Sequence, residues 1–94
     1  MQALDVGLPW YRRSDYQRIR EIMLDGDIFE PTFDKWQGLA EKAERKFKAR
    51  GQRPHRAIIE PDKFIAWCAA NGREVDAHGR TGYAADPANW SDLN

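Results

Sequence analysis

The chain has 94 residues, of which 41% are hydrophobic and 32% charged, and its 15 basic side chains balance 15 acidic ones. This length predicts one domain with a modest core, and the composition excludes an intrinsically disordered chain. The sequence contains no apolar run near 18 residues, which excludes a membrane-spanning helix, and it shows no secretory signal pattern. Its single cysteine excludes an internal disulfide. We therefore expect one small globular domain over residues 1–94, in the cytoplasm and without a membrane partner.

The N-terminal part predicts a loose segment followed by a helix. The opening over residues 1–10, which contains Gly7 and Pro9, is expected to be extended, and residues 1–9 are expected to be loosely ordered. Ser14, with Gln17 three residues later, has the spacing of a capping box and predicts a helix start. The apolar residues of this helix recur at helical spacing: Ile19, Ile22 and Met23. The pair Asp25–Gly26 predicts its end.

The longest predicted helix begins after Thr32 and runs to Arg50, where Gly51 ends it. Its apolar positions are Phe33, Trp36, Ala40, Ala43 and Phe47, spaced 3, 4, 3 and 4. This pattern is typical of an amphipathic helix that faces a core. Residues 27–30, before this helix, are predicted to be a connector or a brief strand.

Residues 56–60 have the β-branched residues and polar flanks of a strand. Such a strand needs a partner, because its backbone N–H and C=O groups would otherwise be unpaired. Pairing with residues 27–30 is one solution, with the long helix as a parallel crossover. The other is a homodimer in which Arg56 and Glu60 face each other across an antiparallel pair, and we lean towards it.

Two further helices follow the strand. Pro61 suits a first helical turn, and Asn71–Gly72 predicts the end of that helix. Asp76 predicts the cap of a last helix through Ala85, and residues 86–94 are expected to be loosely ordered. The predicted fold is mainly α, with three to four helices and one or two short strands, and a small α+β fold is possible. The predicted core is Trp36, Phe47, Phe64 and Trp67.

The residues that could carry chemistry lack the spacing that chemistry needs. His55, His78 and Cys68 share no metal-ligand spacing, and Cys68 lies on an apolar helix, which favours a buried, inert thiol. Asp25, Asp27 and Glu30 do not match a calcium loop. We therefore predict no catalytic site, no metal site and no cofactor.

The distribution of charge is uneven, because residues 42–56 contain seven basic side chains and one acidic one. Basic side chains on an exposed helix face could contact the phosphates of a nucleic acid. The candidate residues are Lys42, Arg45, Lys46, Arg50 and Arg53. The isoelectric point of about 6.7 lies well below the value above 9 that is typical of nucleic-acid-binding domains. Weak, sequence-independent nucleic-acid binding is therefore the alternative function.

The run from Trp10 to Arg13 has the aromatic and arginine composition of interface hot spots. Aromatic residues near the chain ends, including Trp90, either fold back over the core or contact a partner. The candidate partner-binding residues are Trp10, Tyr11, Arg12, Arg13, Arg56, Ile58 and Glu60. The predicted function is a non-enzymatic interaction or accessory domain that binds another protein or its own copy.

Four short motifs resemble a group of small uncharacterised bacterial proteins. They are Trp10-Tyr11 with Asp15-Tyr16, Pro31-Thr32-Phe33-Asp34-x-Trp36, Phe64-x-x-Trp67-Cys68, and Arg80-x-x-Tyr83-Ala84. The motifs span residues 10–84, about three quarters of the chain. The resemblance implies the same order of helices and strand. It implies no activity, cofactor or partner.

Overall fold

The computed structural model describes residues 4–91, which form a small α+β fold with four α-helices and a two-stranded parallel sheet. The predicted fold class is confirmed. The strands are β1 (Asp5–Trp10) and β2 (Arg53–Ile58). The helices are α1 (Tyr16–Ile22), α2 (Phe33–Ala49), α3 (Pro61–Ala70) and α4 (Ala77–Ala85).

The partner of the central strand is the N-terminal segment of the chain. Strand β1 pairs with β2 in register from Asp5↔Arg53 to Trp10↔Ile58. The predicted pairing with residues 27–30 is wrong, because Gly26–Ile28 forms a 3-10 turn there. The strand also begins earlier than predicted, at Arg53, and ends at Ile58. Residues 11–52 thus form the connection that parallel strands require.

The two-stranded sheet lies between α2 on one face and α4 on the other. On the α2 face, the ring of Trp10 packs edge-on against Trp36, with 5.2 Å between ring centroids. On the α4 face, Ala57 is buried in a cluster with Ala84 and Trp90. A second buried cluster is formed by the residues that follow the two strands and by residues of α1 and α3. It contains Tyr11, Tyr16, Ile19, Met23, Ile59, Phe64 and Cys68.

The predicted starts of α2 and α4 are confirmed by their N-terminal caps. The Thr32 hydroxyl accepts from the Lys35 N–H at 3.2 Å, and the Asp76 carboxylate accepts from the Gly79 N–H at 3.1 Å. Gly51 follows α2 with a φ of +79°, a conformation that favours glycine. The predicted capping box at Ser14 is wrong. A 3-10 turn over Arg13–Asp15 precedes α1, and no side chain caps that helix.

The predicted core is correct only for Phe64, which is fully buried. Trp36, Phe47 and Trp67 are partly buried, and Trp36 and Trp67 pack against the buried cluster. The helix that contains Trp36 and Phe47, α2, lies on the outside of the sheet and contributes no fully buried residue. The space at the centre is filled instead by Tyr11, which follows β1, and by residues of α1, including Ile19.

The expectation of loosely ordered ends is corrected for residues 5–9 and 86–91. Residues 5–9 belong to β1. At the other end, the side chain of Trp90 is buried and its indole N–H donates to the carbonyl oxygen of Ala84 at 2.7 Å. Residues 1–3 and 92–94 lie outside the described part of the chain.

Candidate binding surface at the outer edge of strand β1

The hydrogen bonds at the two ends of the sheet determine which residues of each strand face outwards. The Arg53 N–H donates to the Leu4 carbonyl, and the Ile59 N–H donates to the Trp10 carbonyl, both at 2.8 Å. Backbone groups alternate along a parallel strand between its two neighbours. Together with the register, these bonds direct the N–H and C=O groups of Asp5 and Gly7, and the C=O group of Pro9, away from β2.

The outer edge of β1 is unpaired within the described residues. Among residues 4–91, no group accepts from the N–H of Asp5 or Gly7 or donates to the carbonyl oxygens of Asp5, Gly7 and Pro9. Pro9 lacks an N–H at one of these outward positions, which is where a sheet tolerates proline. The strand therefore offers two donors and three acceptors to a further strand.

The outer edge of β2 is closed at its carboxyl end by the chain itself. The Ile58 N–H donates to the Ser91 hydroxyl at 3.2 Å, and the Tyr83 hydroxyl donates to the Ile58 carbonyl at 3.4 Å. Pro54, near the other end of the strand, has no N–H to offer. Of the predicted dimer edge at residues 56–60, the backbone groups of Ile58 are thus occupied from within, and the homodimer itself stays a prediction.

The two charged residues of that predicted edge also have internal roles. Arg56 makes a bidentate contact with Glu44, at 2.7 and 2.9 Å, and its guanidinium lies 3.9 Å from the centroid of the Trp10 ring. This hydrogen bonding lowers the pKa of the Glu44 carboxyl. Glu60 caps α3 by accepting from the Lys63 N–H. Neither residue is oriented to pair with a second copy.

A cavity of about 320 Å³ opens between β1 and α2, and we call it the α2 groove. Its lining consists of aliphatic and aromatic residues. The residues that line it are Leu8, Pro9, Trp10, Tyr11, Trp36, Leu39, Ala40 and Ala43. Leu39 is 54% exposed, so an exposed apolar side chain borders the cavity.

A second cavity of about 710 Å³, the α4 groove, lies on the other side of the same strand. It is lined by Asp5, Val6, Gly7, Thr81, Ala85, Pro87 and Trp90. The Asp5 carboxylate lies 2.8 Å from His55 Nε2 and 2.9 Å from Arg53 Nε. The hydrogen bond with His55, and to a lesser extent the one with Arg53, lowers the pKa of Asp5. The His55 ring stacks on Trp90, with 4.1 Å between centroids. The open edge of β1 is therefore flanked by a groove on each face.

Trp10 and Tyr11, two of the candidate partner-binding residues, fold back over the core, and each is only 5% exposed. Tyr11 packs against Trp36 with 4.7 Å between ring centroids, and burial raises its pKa far above the ordinary tyrosine value. Arg12 and Arg13 are exposed, and Arg13 contacts Asp34 at 2.6 Å. The aromatic pair thus forms the floor of the α2 groove.

A partly buried ion pair joins the turn after α1 to α4, and the sequence analysis missed it. Arg80 contacts both carboxylate oxygens of Asp25 at 2.8 Å, and its guanidinium lies 4.7 Å from the centroid of the Phe29 ring. The hydrogen bonds from Arg80 lower the pKa of Asp25. The two residues are 55 positions apart, so no local pattern links them.

We expect this pair to make stability depend on pH. Because the pKa of Asp25 is lowered in the folded state, its contribution is complete above the ordinary aspartate pKa, about 3.9, and is lost as the pH falls through the lowered value. The difference in unfolding free energy between the protein and Asp25→Asn should therefore shrink between pH 7 and pH 2, as measured by urea unfolding. A difference that stays constant over this range would contradict the assignment.

The predicted basic band is exposed but only partly unpaired. Lys42, Arg45, Lys46 and Arg50 are exposed, and none has a carboxylate within ion-pair distance among residues 4–91. Arg53, the fifth member of the candidate set, contacts Asp5 instead. The structure thus separates Arg53, in β2, from the other four residues, which lie on α2 and at its C-terminal cap.

The described residues contain no cluster of three or more His, Cys, Asp and Glu side chains that could hold a metal ion. Cys68 is 1% exposed, its thiol donates to the Glu74 carbonyl at 3.5 Å, and burial raises its pKa. The prediction of a buried thiol is confirmed. A buried thiol with a raised pKa is a poor nucleophile.

No protein-family model matches this sequence, and comparisons with the curated proteins and with the solved structures found no match. Within residues 4–91, no helix is both long and apolar enough to cross a membrane. What can be inferred about function therefore rests on the edge of β1 and its two grooves.

Proposed function

We propose that this domain is a non-enzymatic interaction module that binds an extended segment of a partner protein as an additional strand beside β1. One observation carries the proposal: the outward backbone groups of Asp5, Gly7 and Pro9 have no partner among residues 4–91. At the corresponding edge of β2, the backbone groups of Ile58 already bond to Ser91 and Tyr83. Addition of a strand to an exposed edge is a common mode of peptide recognition.

The two grooves supply the specificity that main-chain hydrogen bonds lack. Successive side chains of a strand point to opposite faces of the sheet. In a segment beside β1, alternate side chains would thus enter the α2 groove and the α4 groove. Apolar contacts in the α2 groove would be made with Leu8, Trp36 and Leu39. The main-chain hydrogen bonds to β1 would thus hold the segment, and the two grooves would select its side chains.

A segment of a different protein suits this edge better than a second copy of β1. In an antiparallel pair centred on Gly7, Asp5 would face Pro9 of the second copy, whose missing N–H leaves one hydrogen bond unmade. The side chains of Leu8 and Trp10 already line the chain's own groove, so a second β1 would leave both grooves unfilled. We therefore assign the edge to a partner segment.

The setting we propose for this interaction is the cytoplasm. The one cysteine, Cys68, is free and buried, which is compatible with a reducing compartment.

The edge can be tested by removing one outward N–H. Peptides are selected from a random ten-residue library displayed on phage, and their affinities are measured for the parent, Asp5→Pro and Asp5→Ala by isothermal titration calorimetry. Proline removes the Asp5 N–H and the carboxylate, whereas alanine removes the carboxylate alone. We expect about tenfold weaker binding to Asp5→Pro, the loss of roughly one hydrogen bond, and less than about threefold weaker binding to Asp5→Ala.

Amide hydrogen exchange provides a second measurement on the same complexes. A bound segment should slow exchange at Asp5 and Gly7 and leave Arg56, on the outer edge of β2, unchanged. Peptides that bind Asp5→Pro as tightly as Asp5→Ala would overturn the proposal. A parent that sediments as a dimer and becomes a monomer in Asp5→Pro would also overturn it, because the edge would then belong to a second copy.

The second candidate function is weak nucleic-acid binding through Lys42, Arg45, Lys46 and Arg50, which are exposed and unpaired in the described residues. With about four phosphate contacts, we expect affinity for a duplex DNA to fall roughly a hundredfold between 50 and 200 mM salt, as measured by fluorescence anisotropy. Submicromolar binding at physiological salt, lost in Lys42→Glu with Arg45→Glu, would put this function first.

A further inference from the structure

One side of α2 forms a basic rim beside the α2 groove. Positions spaced by three or four residues share a helix face, and five residues follow this spacing. They are Lys35, Leu39, Lys42, Lys46 and Arg50. Leu39 lines the groove, so the four cations, which we call the basic rim, lie along the same side of the helix as the opening.

The basic rim differs from five arginines that are paired with carboxylates. Arg13, Arg18, Arg53, Arg56 and Arg80 each lie within 3 Å of a carboxylate oxygen. Lys35, Lys42, Lys46 and Arg50 are exposed and have no such partner among residues 4–91. Four uncompensated charges beside an apolar opening produce a local positive potential, although the net charge of the chain is zero.

We propose that the segment bound beside β1 is acidic, with an apolar side chain in the α2 groove and Asp or Glu two residues before or after it. This inference rests on the proposed function. Residues i and i+2 of a strand lie on the same face, so the acidic side chains would point to the face that α2 covers. There Lys42 and Lys46 can contact them, while Leu8, Trp36 and Leu39 surround the apolar side chain.

The assignment to an acidic polypeptide uses both properties of this surface. A nucleic acid would neutralise the basic rim but would leave the apolar groove and the backbone groups of Asp5 and Gly7 without a role. An acidic and apolar segment would use the charges, the groove and the open edge together. Contacts between exposed charges mainly affect association rate and salt dependence, so the affinity should depend strongly on ionic strength.

The test repeats the phage selection on charge variants. The rim variant is Lys42→Glu with Lys46→Glu. Its control is Lys48→Glu with Lys63→Glu, which changes the net charge equally at two exposed lysines outside the rim. Peptides selected on the parent should be enriched in Asp and Glu around an apolar residue. At 50 mM salt they should bind the rim variant at least about tenfold more weakly and the control within about threefold, with a smaller difference at 500 mM salt.

The outcomes separate the two proposals. Neutral peptides that still lose affinity in Asp5→Pro would leave the interaction edge in place and overturn the acidic class. The absence of any peptide sensitive to Asp5→Pro would overturn the proposed function and this inference with it. Tighter binding of a 20-base-pair DNA duplex than of any peptide, lost in the rim variant, would assign the rim to nucleic acid. Circular dichroism melting curves verify that each variant is folded.

Discussion

Replacing Phe64 with alanine should lower the free energy of unfolding by about 3–5 kcal/mol, because it deletes a fully buried ring and leaves a cavity. The ring packs edge-on against Tyr83, with 5.5 Å between centroids, and beside Trp67. Since a domain of this kind has only about 5–15 kcal/mol of stability, the variant is expected to be close to unfolding. Urea unfolding followed by tryptophan fluorescence measures the difference.

The neighbouring residue provides the control for this prediction. Ile65 is 37% exposed, so Ile65→Ala should cost much less than Phe64→Ala. Trp67 is partly exposed. The loss of unfolding free energy in Trp67→Ala should therefore lie between those of the two other variants, below the cost of about 3–5 kcal/mol that its helical position alone would suggest. If Phe64→Ala cost no more than Ile65→Ala, the second core cluster would be wrongly assigned.

Replacing Gly7 with alanine should cost about 2–3 kcal/mol, although the change adds a single methyl group. A Cβ atom at this position would overlap the carbonyl oxygen of Ala84 and lie 2.5 Å from Nε1 of Trp90. The strand and α4 would have to move apart, which would disturb the hydrogen bond between Trp90 and Ala84. Thermal and urea unfolding should both show the loss.

Gly38 offers a matched substitution with the opposite sign. It lies within α2, and a Cβ atom there would meet no other atom within 4 Å. Alanine is the better helix former, so Gly38→Ala should raise stability by about 0.5–1 kcal/mol. Equal effects of Gly7→Ala and Gly38→Ala would refute the close packing of β1 on α4.

Helix boundaries were predictable wherever a short local pattern decides them. Thr32, Pro61 and Asp76 lie where the sequence analysis expected the helix starts, and Gly51 and Gly72 have the positive φ angles of helix ends. Capping depends on groups within three or four residues of each other, which a sequence shows directly. The Ser14 capping box failed because the chain forms a 3-10 turn over Arg13–Asp15 before α1 begins.

The strand β1 and the open edge were not predicted, although the sequence contains a signal for them. Gly7 and Pro9 both weaken the pattern of a strand, and the sequence analysis predicts an extended, loosely ordered segment here without assigning a strand. Gly7 packs closely against α4. Because Gly7 and Pro9 are two residues apart, the outward backbone groups of both lie on the same edge of β1, which is unpaired within residues 4–91. Glycine at a close approach and proline on an outer edge are typical of such a strand.

The sequence by itself determined the fold class, the ends of three helices and the burial of Cys68, because each depends on spacing within a few residues. Only the tertiary structure decided which strand pairs with β2, which edge remains open and where the basic rim lies relative to a groove. Those features depend on residues far apart in the chain, such as Asp5 with Arg53 and Asp25 with Arg80. Contacts of that kind are selected by how well whole faces pack, and no local pattern encodes them.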